Sequence, residues 1–514
     1  MTSKIFIFFT LLFIGVHANA SNEDAALKET IQARYEELEY HIENPLIIQN
    51  PFKRNELTAL VRFPTEKPAQ ITLTIFSKDG NDHITHTFSN FNTEHAIPVL
   101  GLYPNHNNKI SLKALYKDNT TKTVYHYIQT PKINKRALYI IKDKKDKQNF
   151  YHYLYNGLVV DEKGHIRFSF QGDYEMVYFA NNELIAEDRN FGLIRYNMLG
   201  EKISTYSYPK DFVSFTHGLT QKTNKNFLVI GSFPNKTAIF NNQKAQTQRD
   251  FLIEIDYNTG KTINIIDLAD ILNPDRSVII KSDTKNYGLN NWCHLNAVDY
   301  DEKDQSILVS CRHAGLIKID EKTKSVKYII SPHIGFEKSG RDGTGPALSD
   351  KLLTAIDEQG IPFSGEIQRG TKKSNTFKWP TKTHDARIVS NNIISVFDNS
   401  GSVYAKNLIT SLNSNAQVFK IDEQKKTIQS IWFKALPFYS DSGSSVLFDE
   451  NKTHVTVYTS VIKDNEQIGW AHGRLMRFDK QTKETLFDAI IYRGGETYFY
   501  GLQPFTFYQE STSK

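Results

Sequence analysis

One hairpin pattern recurs five times between residues 192 and 487, and it restricts the chain to a repeat architecture. In each copy an apolar strand ends in Asp or Asn, a short polar turn with Lys or Gly follows, and a second apolar strand begins. A polar side chain at the strand end can bond the backbone of its own turn, which gives the pattern a physical reason. The copies are GLIRYNMLGEKIS (192–204), FLIEIDYNTGKTINII (251–266), GLIKIDEKTKSVKYII (315–330), QVFKIDEQKKTIQSIW (417–432) and GRLMRFDKQTKETLF (473–487), with the polar residue at Asn197, Asp256, Asp320, Asp422 and Asp479.

Hairpins at a regular spacing are typical of a β-propeller, in which each blade is a four-stranded sheet. A second hairpin precedes each of the later copies and is predicted to supply the inner strands of its blade. These inner hairpins are expected at 216–232, 294–310, 384–399 and 442–460, with 157–170 as a further one. We predict six blades, with five or seven as the alternatives, and we expect the sixth to be closed by residues 486–500 together with part of 150–190. A Gly-rich insertion at 335–350 is predicted to lie over one face.

The residues before the propeller have a different pattern. Residues 24–40 have the apolar spacing of an amphipathic helix. Short alternating runs separated by Asn, Asp and Gly follow between 45 and 130, and they predict a small β-sandwich. The predicted fold is therefore all-β: a short N-terminal helix and β-sandwich domain over 21–132, a solvated basic linker over 133–150, and a six-bladed β-propeller catalytic domain over 151–514.

The first twenty residues have the pattern of a signal peptide. Lys4 precedes an apolar run from Ile5 to Val16, and Ala18-Asn19-Ala20 is a small-x-small cleavage site. This run is too short for a spanning helix, and no later segment is apolar enough to cross a membrane. We expect export to an oxidising compartment. The formal charge of +5 on 514 residues is small for a nucleic-acid binder, so that class of partner is not expected.

Three histidines stand at one equivalent place in successive blades. His217, His294 and His384 each begin an inner hairpin, and in a propeller those positions surround the same end of the central channel. Titratable groups that converge in this way indicate a functional site. Arg312 ends the strand that should pair with the His294 strand, and Asn296 is expected on the same face as His294.

An arginine beside histidines favours a tetrahedral anion over a dication, because guanidinium binds oxyanions through two parallel N–H groups. The sequence therefore predicts an anionic group held at the mouth of the propeller, with no cofactor. Two other classes fit the same residues. One is a non-enzymatic propeller that binds an anion or a partner protein, and the other is a metal-dependent hydrolase that uses the histidine cluster.

The segment NNWCHLNAVDYDEKDQSILVSCRHAGLIKID (290–320) resembles the His-x-Asn…Ser-x-Arg blade of the bacterial arylsulfate sulfotransferases. Four further segments resemble that family in the same order: HAIPVLGLYPNHNNKISL, FTHGLTQKTNKNFLVIGS, WPTKTHDARIVSNNIISVFDNSGS and FYSDSGSSV. The resemblance implies a periplasmic, dimeric, six-bladed propeller. It also implies transfer of a sulfuryl group from a phenolic sulfate donor to a phenol acceptor, without the nucleotide donor PAPS.

The resemblance also implies roles for individual residues. His384 would be the nucleophile that is transiently sulfated, and His217, His294 and Arg312 would hold and polarise the sulfuryl group. The substrate-binding positions implied are Asn296, Ser444, Tyr498 and Tyr500. Which histidine, His217 or His294, acts as the acid and base stays open.

The two cysteines, Cys293 and Cys311, lie on strands that should be adjacent, directly before His294 and Arg312. Both a disulfide and a pair of buried thiols fit the sequence. Relatives carry a disulfide in the loop before the nucleophile, which makes a periplasmic thiol oxidase a candidate partner. The corresponding loop here has no cysteine, so that partner stays open.

Overall fold

The computed structural model describes residues 22–134, 137–145, 150–154, 157–172, 176–180, 182–188, 192–240, 242–276, 290–390, 392–400, 408, 411–463, 472–493 and 503–508. The predicted signal peptide lies outside these residues. The predicted N-terminal helix is present as α1 (Asn22–Glu37). None of the helices in the described part of the chain is long and apolar enough to span a membrane.

A small β domain follows α1. Its strands are β1 (Leu46–Gln49), β2 (Thr58–Ile75), β3 (Ile84–Leu100), β4 (Asn107–Tyr116) and β5 (Thr121–Gln129). The hydrogen-bonded order is β1-β2-β4-β5, and β3 also pairs with β2 along both halves of that long strand. The register of β2 shifts between Pro64 and Ala69. Alternate residues of both halves are buried in one hydrophobic core.

The rest of the described chain forms six sheets of at least four strands, so the prediction of six blades is confirmed. We number the blades in chain order. The six blades and a separate two-stranded sheet, β16-β17, contain the following strands: β6 (Ala137–Lys144), β7 (Tyr151–Leu154), β8 (Leu158–Asp161), β9 (Ile166–Ser169), β10 (Met176–Ala180), β11 (Glu183–Asp188), β12 (Gly192–Asn197), β13 (Lys202–Ser207), β14 (Val213–Gln221), β15 (Phe227–Ser232), β16 (Thr237–Phe240), β17 (Gln243–Gln246), β18 (Phe251–Ile255), β19 (Thr262–Asp267), β20 (Leu295–Asp301), β21 (Ser306–Cys311), β22 (Gly315–Asp320), β23 (Val326–Ile330), β24 (Thr354–Ile356), β25 (Thr383–Ser390), β26 (Ile393–Asp398), β27 (Asn415–Asp422), β28 (Thr427–Ala435), β29 (Tyr439–Ser440), β30 (Ser445–Leu447), β31 (His454–Lys463), β32 (His472–Asp479), β33 (Thr485–Arg493) and β34 (Gln503–Phe505).

Blade 1 is β10-β11-β12-β13, blade 2 is β14-β15-β18-β19 and blade 3 is β20-β21-β22-β23. Blade 4 is β25-β26-β27-β28, with β24 added in parallel to β28, and blade 5 is β30-β31-β32-β33, with β29 also paired to β31. Blade 6 is β34-β7-β8-β9. The first strands of blades 2, 3 and 4 pack against one another, as inner strands around a central axis do. Three short helical turns, α2 (Leu268–Ile271), a 3₁₀ turn (Ser349–Lys351) and α3 (Gly365–Gln368), lie in the connections.

The recurrent acidic residue stabilises the turn between the third and fourth strands. Asp256 Oδ1 accepts hydrogen bonds from the backbone N–H and the hydroxyl of Thr259, both at 2.7 Å. Asp320 and Asp479 each accept the same pair of bonds from the threonine three residues on. The repeat that is visible in the sequence is therefore a repeat of one capped turn.

Three segments differ from the sequence prediction. Residues 157–170 form β8 and β9, the third and fourth strands of blade 6, rather than an inner hairpin. Within the expected linker, β6 pairs with β33 and adds a fifth strand to blade 5. Blade 6 is closed by β34 on β7, whereas residues 485–493 form the fourth strand of blade 5.

The Gly-rich insertion packs against the outer side of blade 2. Arg341 donates to both oxygens of Asp267, at 2.9 and 2.7 Å, and its carbonyl accepts from the N–H of Ile239 in the β16-β17 hairpin. These contacts tie the connection between blades 3 and 4 back to blade 2. The insertion thus contributes contacts that hold blade 2 to the connection between blades 3 and 4.

The N-terminal domain contacts blades 6 and 1. Arg167 in β9 donates to the carbonyl of Gly101 through Nε (2.9 Å) and Nη2 (2.7 Å), and Arg54 donates to the carbonyl of Gly200 at 2.9 Å. Apolar residues of β2, β4, β9 and β11 share one core.

Candidate active site

The backbone is irregular at each of the three predicted histidines. The pairing of β14 with β15 shifts register between Ser214 and Leu219, which brackets His217. The shift in β20 lies between Leu295 and Ala297, directly after His294, and the shift in β25 lies between His384 and Arg387. β-Bulges re-aim side chains and occur beside active sites. Blades 2, 3 and 4 therefore each have a shift in strand register beside the predicted histidine.

His294 lies just before β20, with a backbone φ of +48°. Its Nε2 is 3.0 Å from a guanidinium nitrogen of Arg249, and its Nδ1 is 2.6 Å from the side-chain amide nitrogen of Asn291. The His313 ring packs edge-on against it, with the ring centroids 5.7 Å apart. The described side chains in contact with the imidazole are thus a guanidinium, an amide and a second imidazole.

Arg312 and His294 are joined by the backbone. The N–H of Arg312 donates to the carbonyl of His294 at 3.3 Å, and Nη2 of Arg312 donates to the carbonyl of Asp441 at 3.1 Å. Cys293 and Cys311 form a disulfide, with their Cα atoms 4.8 Å apart. Because the cysteines directly precede His294 and Arg312, this bond holds the backbones of the two residues next to each other.

His384 is buried at the start of β25 and is held against blade 3 by its neighbour Thr383. Asn296 Nδ2 donates to the carbonyl of Thr383 at 2.7 Å. The Thr383 hydroxyl donates to the carbonyl of Cys311 at 3.2 Å and accepts from Ser310 at 2.9 Å. Four of the predicted residues, His294, Asn296, Arg312 and His384, are therefore brought together across blades 3 and 4.

The expectation that Asn296 and His294 share one face of a strand is wrong. The strand begins at Leu295 and shifts register directly after it, so the two-residue alternation does not extend back to His294. His294 contacts Arg249 of blade 2, whereas Asn296 contacts Thr383 of blade 4. Asn296 orients the strand that carries His384.

A lysine adds a third cation to the site. Lys382 is buried two residues before His384, and its Nζ donates to the carbonyl (2.7 Å) and a carboxylate oxygen (3.1 Å) of Asp441. It also donates to the hydroxyl of Tyr439 at 3.1 Å. Burial, together with the charges of Arg312 and Lys382, holds the pKa of His313 well below its ordinary value. His313 is therefore neutral at physiological pH.

The remaining predicted residues fall in different places. Ser444 is buried in the loop that carries Asp441. Its hydroxyl pairs with Ser440 at 3.0 Å and accepts from the N–H of Ser460 at 3.0 Å, so it stabilises that loop. The backbone of His217 lies in β14, but its side chain is outside the described part of the structure. Tyr498 and Tyr500 lie outside the described residues.

Four residues of the site were not predicted from the sequence: Arg249, Asn291, His313 and Lys382. Asn291, His313 and Lys382 are within three residues of a predicted one, so their nearness to the motif was the available signal. No such signal marked Arg249, because it lies outside the predicted inner hairpins. Among the described residues, no group of three or more His, Cys, Asp or Glu side chains is placed to hold a metal ion.

The chain is similar to known sulfotransferase sequences over most of its length. The profile of the family Arylsulfotransferase (ASST) matches residues 106–500, and that of the arylsulfotransferase Ig-like domain matches residues 46–136. The arylsulfate sulfotransferase AssT of Escherichia coli O6:H1 is 26% identical over 324 residues, which cover 56% of this chain and 52% of that protein. AssT of Lelliottia amnigena is 23% identical over 545 aligned positions, covering 85% of this chain and 88% of that protein.

Two solved structures match the chain at low TM-scores. One is the Cps50 (Swd1) propeller domain of Myceliophteria thermophila, with 10% identity, a TM-score of 0.30, and coverage of 63% of this chain and 87% of that chain. The other is BamB of Moraxella catarrhalis, with 9% identity, a TM-score of 0.27, and coverage of 74% and 91%. Scores this low add nothing to the sheet topology described above.

Proposed function

Because the chain belongs to the arylsulfotransferase family, we propose that it moves a sulfuryl group from a phenolic sulfate ester to a phenol, through a sulfated His384 and without PAPS. The observation that carries this proposal is the bond from Asn296 to Thr383, which together with the bond from Thr383 to Cys311 holds the start of β25, with His384, against the end of β21, directly before Arg312. This contact supports the proposed roles, because it joins the strand that carries His384 to the blade that carries Arg312.

The cations suit the transition state of sulfuryl transfer. Sulfuryl transfer should resemble phosphoryl transfer, with a loose transition state and charge on the non-bridging oxygens. Arg312 and Lys382 both donate to the carbonyl of Asp441, so their positive ends are held at one point, and Lys382 lies two residues before His384. Fixed donors of this kind stabilise developing charge without reorganisation.

The proposed reaction has two steps, a sulfuryl transfer to His384 and a sulfuryl transfer from it. In the first, a neutral imidazole nitrogen of His384 attacks sulfur, the sulfur–oxygen bond to the donor breaks, and the phenolate takes a proton. In the second, the acceptor phenol loses its proton as its oxygen attacks sulfur, and the sulfur–nitrogen bond breaks to restore His384. A covalent intermediate divides one difficult transfer into two easier ones. A phenol has a pKa of about 10, so each step needs a partner that can give or take a proton.

The metal-dependent alternative is disfavoured by electrostatics. A histidine that ligates a dication offers a ring nitrogen to the metal, but Nε2 of His294 faces the guanidinium of Arg249 at 3.0 Å. The charges of Arg312 and Lys382 would oppose a second positive ion at the same place. An anion is the ligand that this surrounding favours.

The location and assembly of the protein remain proposals. We propose that the chain works in the periplasm, since the predicted signal peptide would export it and the bond between Cys293 and Cys311 suits an oxidising compartment. A homodimer and a thiol-oxidase partner follow from the family resemblance alone. Gel filtration with light scattering would test the dimer.

The test of the proposed activity is a transfer assay. Purified protein is mixed with 4-nitrophenyl sulfate, with and without added phenol, and nitrophenol release is followed together with formation of phenyl sulfate. We expect release that depends on phenol and matches phenyl sulfate formation, and that is insensitive to a chelator. Release without phenol that a chelator abolishes would establish the metal hydrolase instead, and no turnover of any aryl sulfate would leave the binding propeller.

A further inference from the structure

Two consecutive residues of blade 2 hold the chain on both sides of His294. The carbonyl of Arg249 accepts from the N–H of Leu295 at 3.2 Å, directly after His294. The carboxylate of the next residue, Asp250, accepts from the indole N–H of Trp292 at 3.2 Å, two residues before His294. The position of His294 along blade 2 is therefore restrained from both directions.

The same two segments run side by side upstream of these contacts. The N–H of Asn290 donates to the carbonyl of Gln246 at 2.7 Å, and the carbonyl of Asn290 accepts from the N–H of Gln248 at 3.2 Å. Residues 290–295 thus lie along residues 246–250. A slip of one position in this pairing would move every side chain of the first segment.

The backbone at His294 needs such restraint. Its φ is +48° and that of Arg249 is +55°, in the left-handed region that is unfavourable for residues other than glycine. Conformations of this kind persist where the surrounding contacts over-determine them. The guanidinium of Arg249 lies against the His294 imidazole, with one nitrogen 3.0 Å from Nε2 and 3.5 Å from Nδ1. A small change in the path of the chain would separate the two side chains.

The bond from Trp292 requires a buried acidic group. Trp292 and Asp250 are 1% and 0% exposed. Asp250 Oδ2 also accepts from Nη2 of Arg341 at 3.3 Å, whereas Oδ1 has no hydrogen-bond partner among the described residues. Burial raises the pKa of Asp250, and the charge of Arg341 acts against that rise. A buried carboxylate with one oxygen unsatisfied costs folding free energy, which favours a functional reason for its presence.

A second buried tryptophan shows that a neutral group can satisfy an indole N–H. Trp432, which is 4% exposed, donates to the carbonyl of Lys480 at 3.0 Å. A hydrogen bond to an ionised acceptor is roughly twice as strong as one between neutral groups. The carboxylate of Asp250 therefore holds Trp292 more firmly than a carbonyl would.

We propose that Asp250 is a positioning residue that, through Trp292, holds His294 beside Arg249 in the geometry that sulfuryl transfer requires. This inference rests on the proposed transfer reaction, in which His294 takes part. Asp250 is fully buried, so it acts through the path of the chain and not by contact with the substrate. Arg341, which supplies the opposing charge, comes from the Gly-rich insertion, so the insertion contributes to the same positioning.

The contact itself is tested by the indole N–H signals of protein labelled with ¹⁵N-tryptophan. The chain has four tryptophans, and loss of one signal in Trp292→Phe assigns that residue. Asp250→Asn keeps a side-chain oxygen for the indole N–H, whereas Asp250→Leu offers no acceptor. We expect the Trp292 signal to move in Asp250→Leu and to move much less in Asp250→Asn.

The position of His294 is read from its ring nitrogen signals in protein labelled with ¹⁵N-histidine, assigned by their loss in His294→Gln. These signals should move in Asp250→Leu and in Trp292→Phe, because the imidazole shifts relative to Arg249. The matched control is Trp432→Phe, which also removes one bond of a buried indole, in the fourth strand of blade 4. It should lower the thermal midpoint and leave the His294 signals unchanged.

The third readout is kcat for transfer from 4-nitrophenyl sulfate to phenol. Asp250→Leu and Trp292→Phe should each lower kcat by about tenfold or more, since a displacement of about 1 Å can slow a reaction a hundredfold. The two substitutions remove the same bond, so their combination should cost little more than either alone. Asp250→Asn should retain most of the activity that Asp250→Leu loses, and Trp432→Phe should keep the wild-type kcat.

Three results would overturn the inference: an unmoved Trp292 signal in Asp250→Leu, a wild-type kcat in that variant, or additive losses in the double variant. Circular dichroism would verify folding. If Asp250→Leu does not fold, Trp292→Phe with wild-type His294 signals and kcat overturns the inference instead. If the wild-type chain transfers no sulfate, the proposed function fails, but the His294 signals still decide whether Asp250 positions that ring. The two failures are therefore distinguishable.

Discussion

Arg312 is the residue whose chemistry the proposed site most needs. Its backbone is bonded to His294 and its guanidinium to the carbonyl of Asp441, so its position is set from two blades. The planar fork of arginine matches the oxygens of a sulfuryl group, whereas lysine presents a single point charge. Replacement by lysine should therefore retain part of the charge and lose the geometry.

We expect Arg312→Lys to lower kcat/KM for transfer by about a hundredfold, the usual effect of removing one preorganised donor. The measurement is the initial rate with 4-nitrophenyl sulfate and phenol over a range of donor concentrations. Arg369→Lys, at an exposed position in the connection before blade 4, is the control and should keep the wild-type rate. A near wild-type rate in Arg312→Lys would remove Arg312 from the reaction.

A buried histidine outside the site should make stability depend on pH. His152 in β7 bonds the Tyr458 hydroxyl, and burial together with the Arg477 charge lowers its pKa to about 3. An unfolded histidine has a pKa of about 6.5, so the unfolded state binds the proton first as pH falls. This group therefore costs stability progressively from pH 6.5 down to about 3.

Urea unfolding at pH 7 and pH 5 of the wild type and of His152→Gln would measure this. The free energy of unfolding of the wild type should fall by about 2 kcal/mol more than that of the variant between these pH values. Other titrating groups, including the buried Asp299, whose pKa burial raises to about 6, cancel in the comparison. Equal falls in both proteins would mean that His152 takes up its proton in the folded state.

At single positions, the sequence predicts what the repeat determines. His294, Arg312 and His384 could be found because they stand at repeat positions or at a strand end. Arg249 could not be found, because its position depends on a φ of +55° and on contacts with Ser232 and Leu295. No local pattern marks a residue that reaches the site from the outer half of a neighbouring blade.

Between neighbouring blades, buried lysines join acidic residues of two sheets. Lys318 in β22 contacts Asp301 (2.7 Å) and Asp304 (3.1 Å) of its own blade and Glu423 (3.2 Å) of blade 4. Lys222 in blade 2 likewise contacts Glu254 of its own blade at 3.0 Å and Glu321 of blade 3 at 2.6 Å. Glu423 directly follows Asp422, and Glu321 directly follows Asp320. The repeat that caps the turn with an aspartate therefore also supplies the glutamate that contacts the neighbouring blade.

We expect Lys318→Met to lower the free energy of unfolding by about 3 kcal/mol, because it leaves Asp301 without its cation and leaves Asp304 and Glu423 to share Lys327 alone. Chemical denaturation at neutral pH measures the loss. Lys425→Met is the matched control, since Lys425 is largely exposed and its pair with Asp422 should contribute little. Equal stabilities of the two variants would show that the contact between blades is dispensable.

The order of elements shows where strand patterns stop being informative. The inner hairpins of blades 2 to 5 could be predicted because each precedes a recognisable repeat. Blade 6 could not be assigned, because β7, β8 and β9 have four residues each and β34 has three. Runs this short do not distinguish an inner strand from an outer one. The polar residues of β6 likewise have the composition of a linker, and only the pairing with β33 shows that they form a strand.

As a whole molecule, the propeller is closed by the two ends of its own sequence. β34 pairs with β7, which joins residues about 350 positions apart and completes blade 6. The buried Phe505 packs against Phe168 of blade 6 and Phe179 of blade 1. Tyr508, three residues later, donates its hydroxyl to the carbonyl of Pro98 in the N-terminal domain at 2.9 Å. The last described residues thus connect two blades and the N-terminal domain.

A variant that ends at residue 502 should lose cooperative unfolding, because it removes a strand and exposes the edge of β7. We expect a lower thermal midpoint and binding of a hydrophobic dye. Tyr508→Phe, which removes only the hydroxyl, should lower the free energy of unfolding by about 1 kcal/mol. A truncated chain that melts like the full chain would show that the closure does not stabilise the propeller.

The proposed function of the whole molecule depends on the transient sulfation of His384. The protein is reacted with an aryl sulfate in the absence of acceptor, digested under non-acidic conditions, and mapped by mass spectrometry. We predict that the peptide carrying His384 gains the mass of one sulfuryl group, loses it when phenol is added, and gains nothing in His384→Ala. A sulfuryl group on another residue, or near wild-type transfer by a folded His384→Ala variant, would contradict the account.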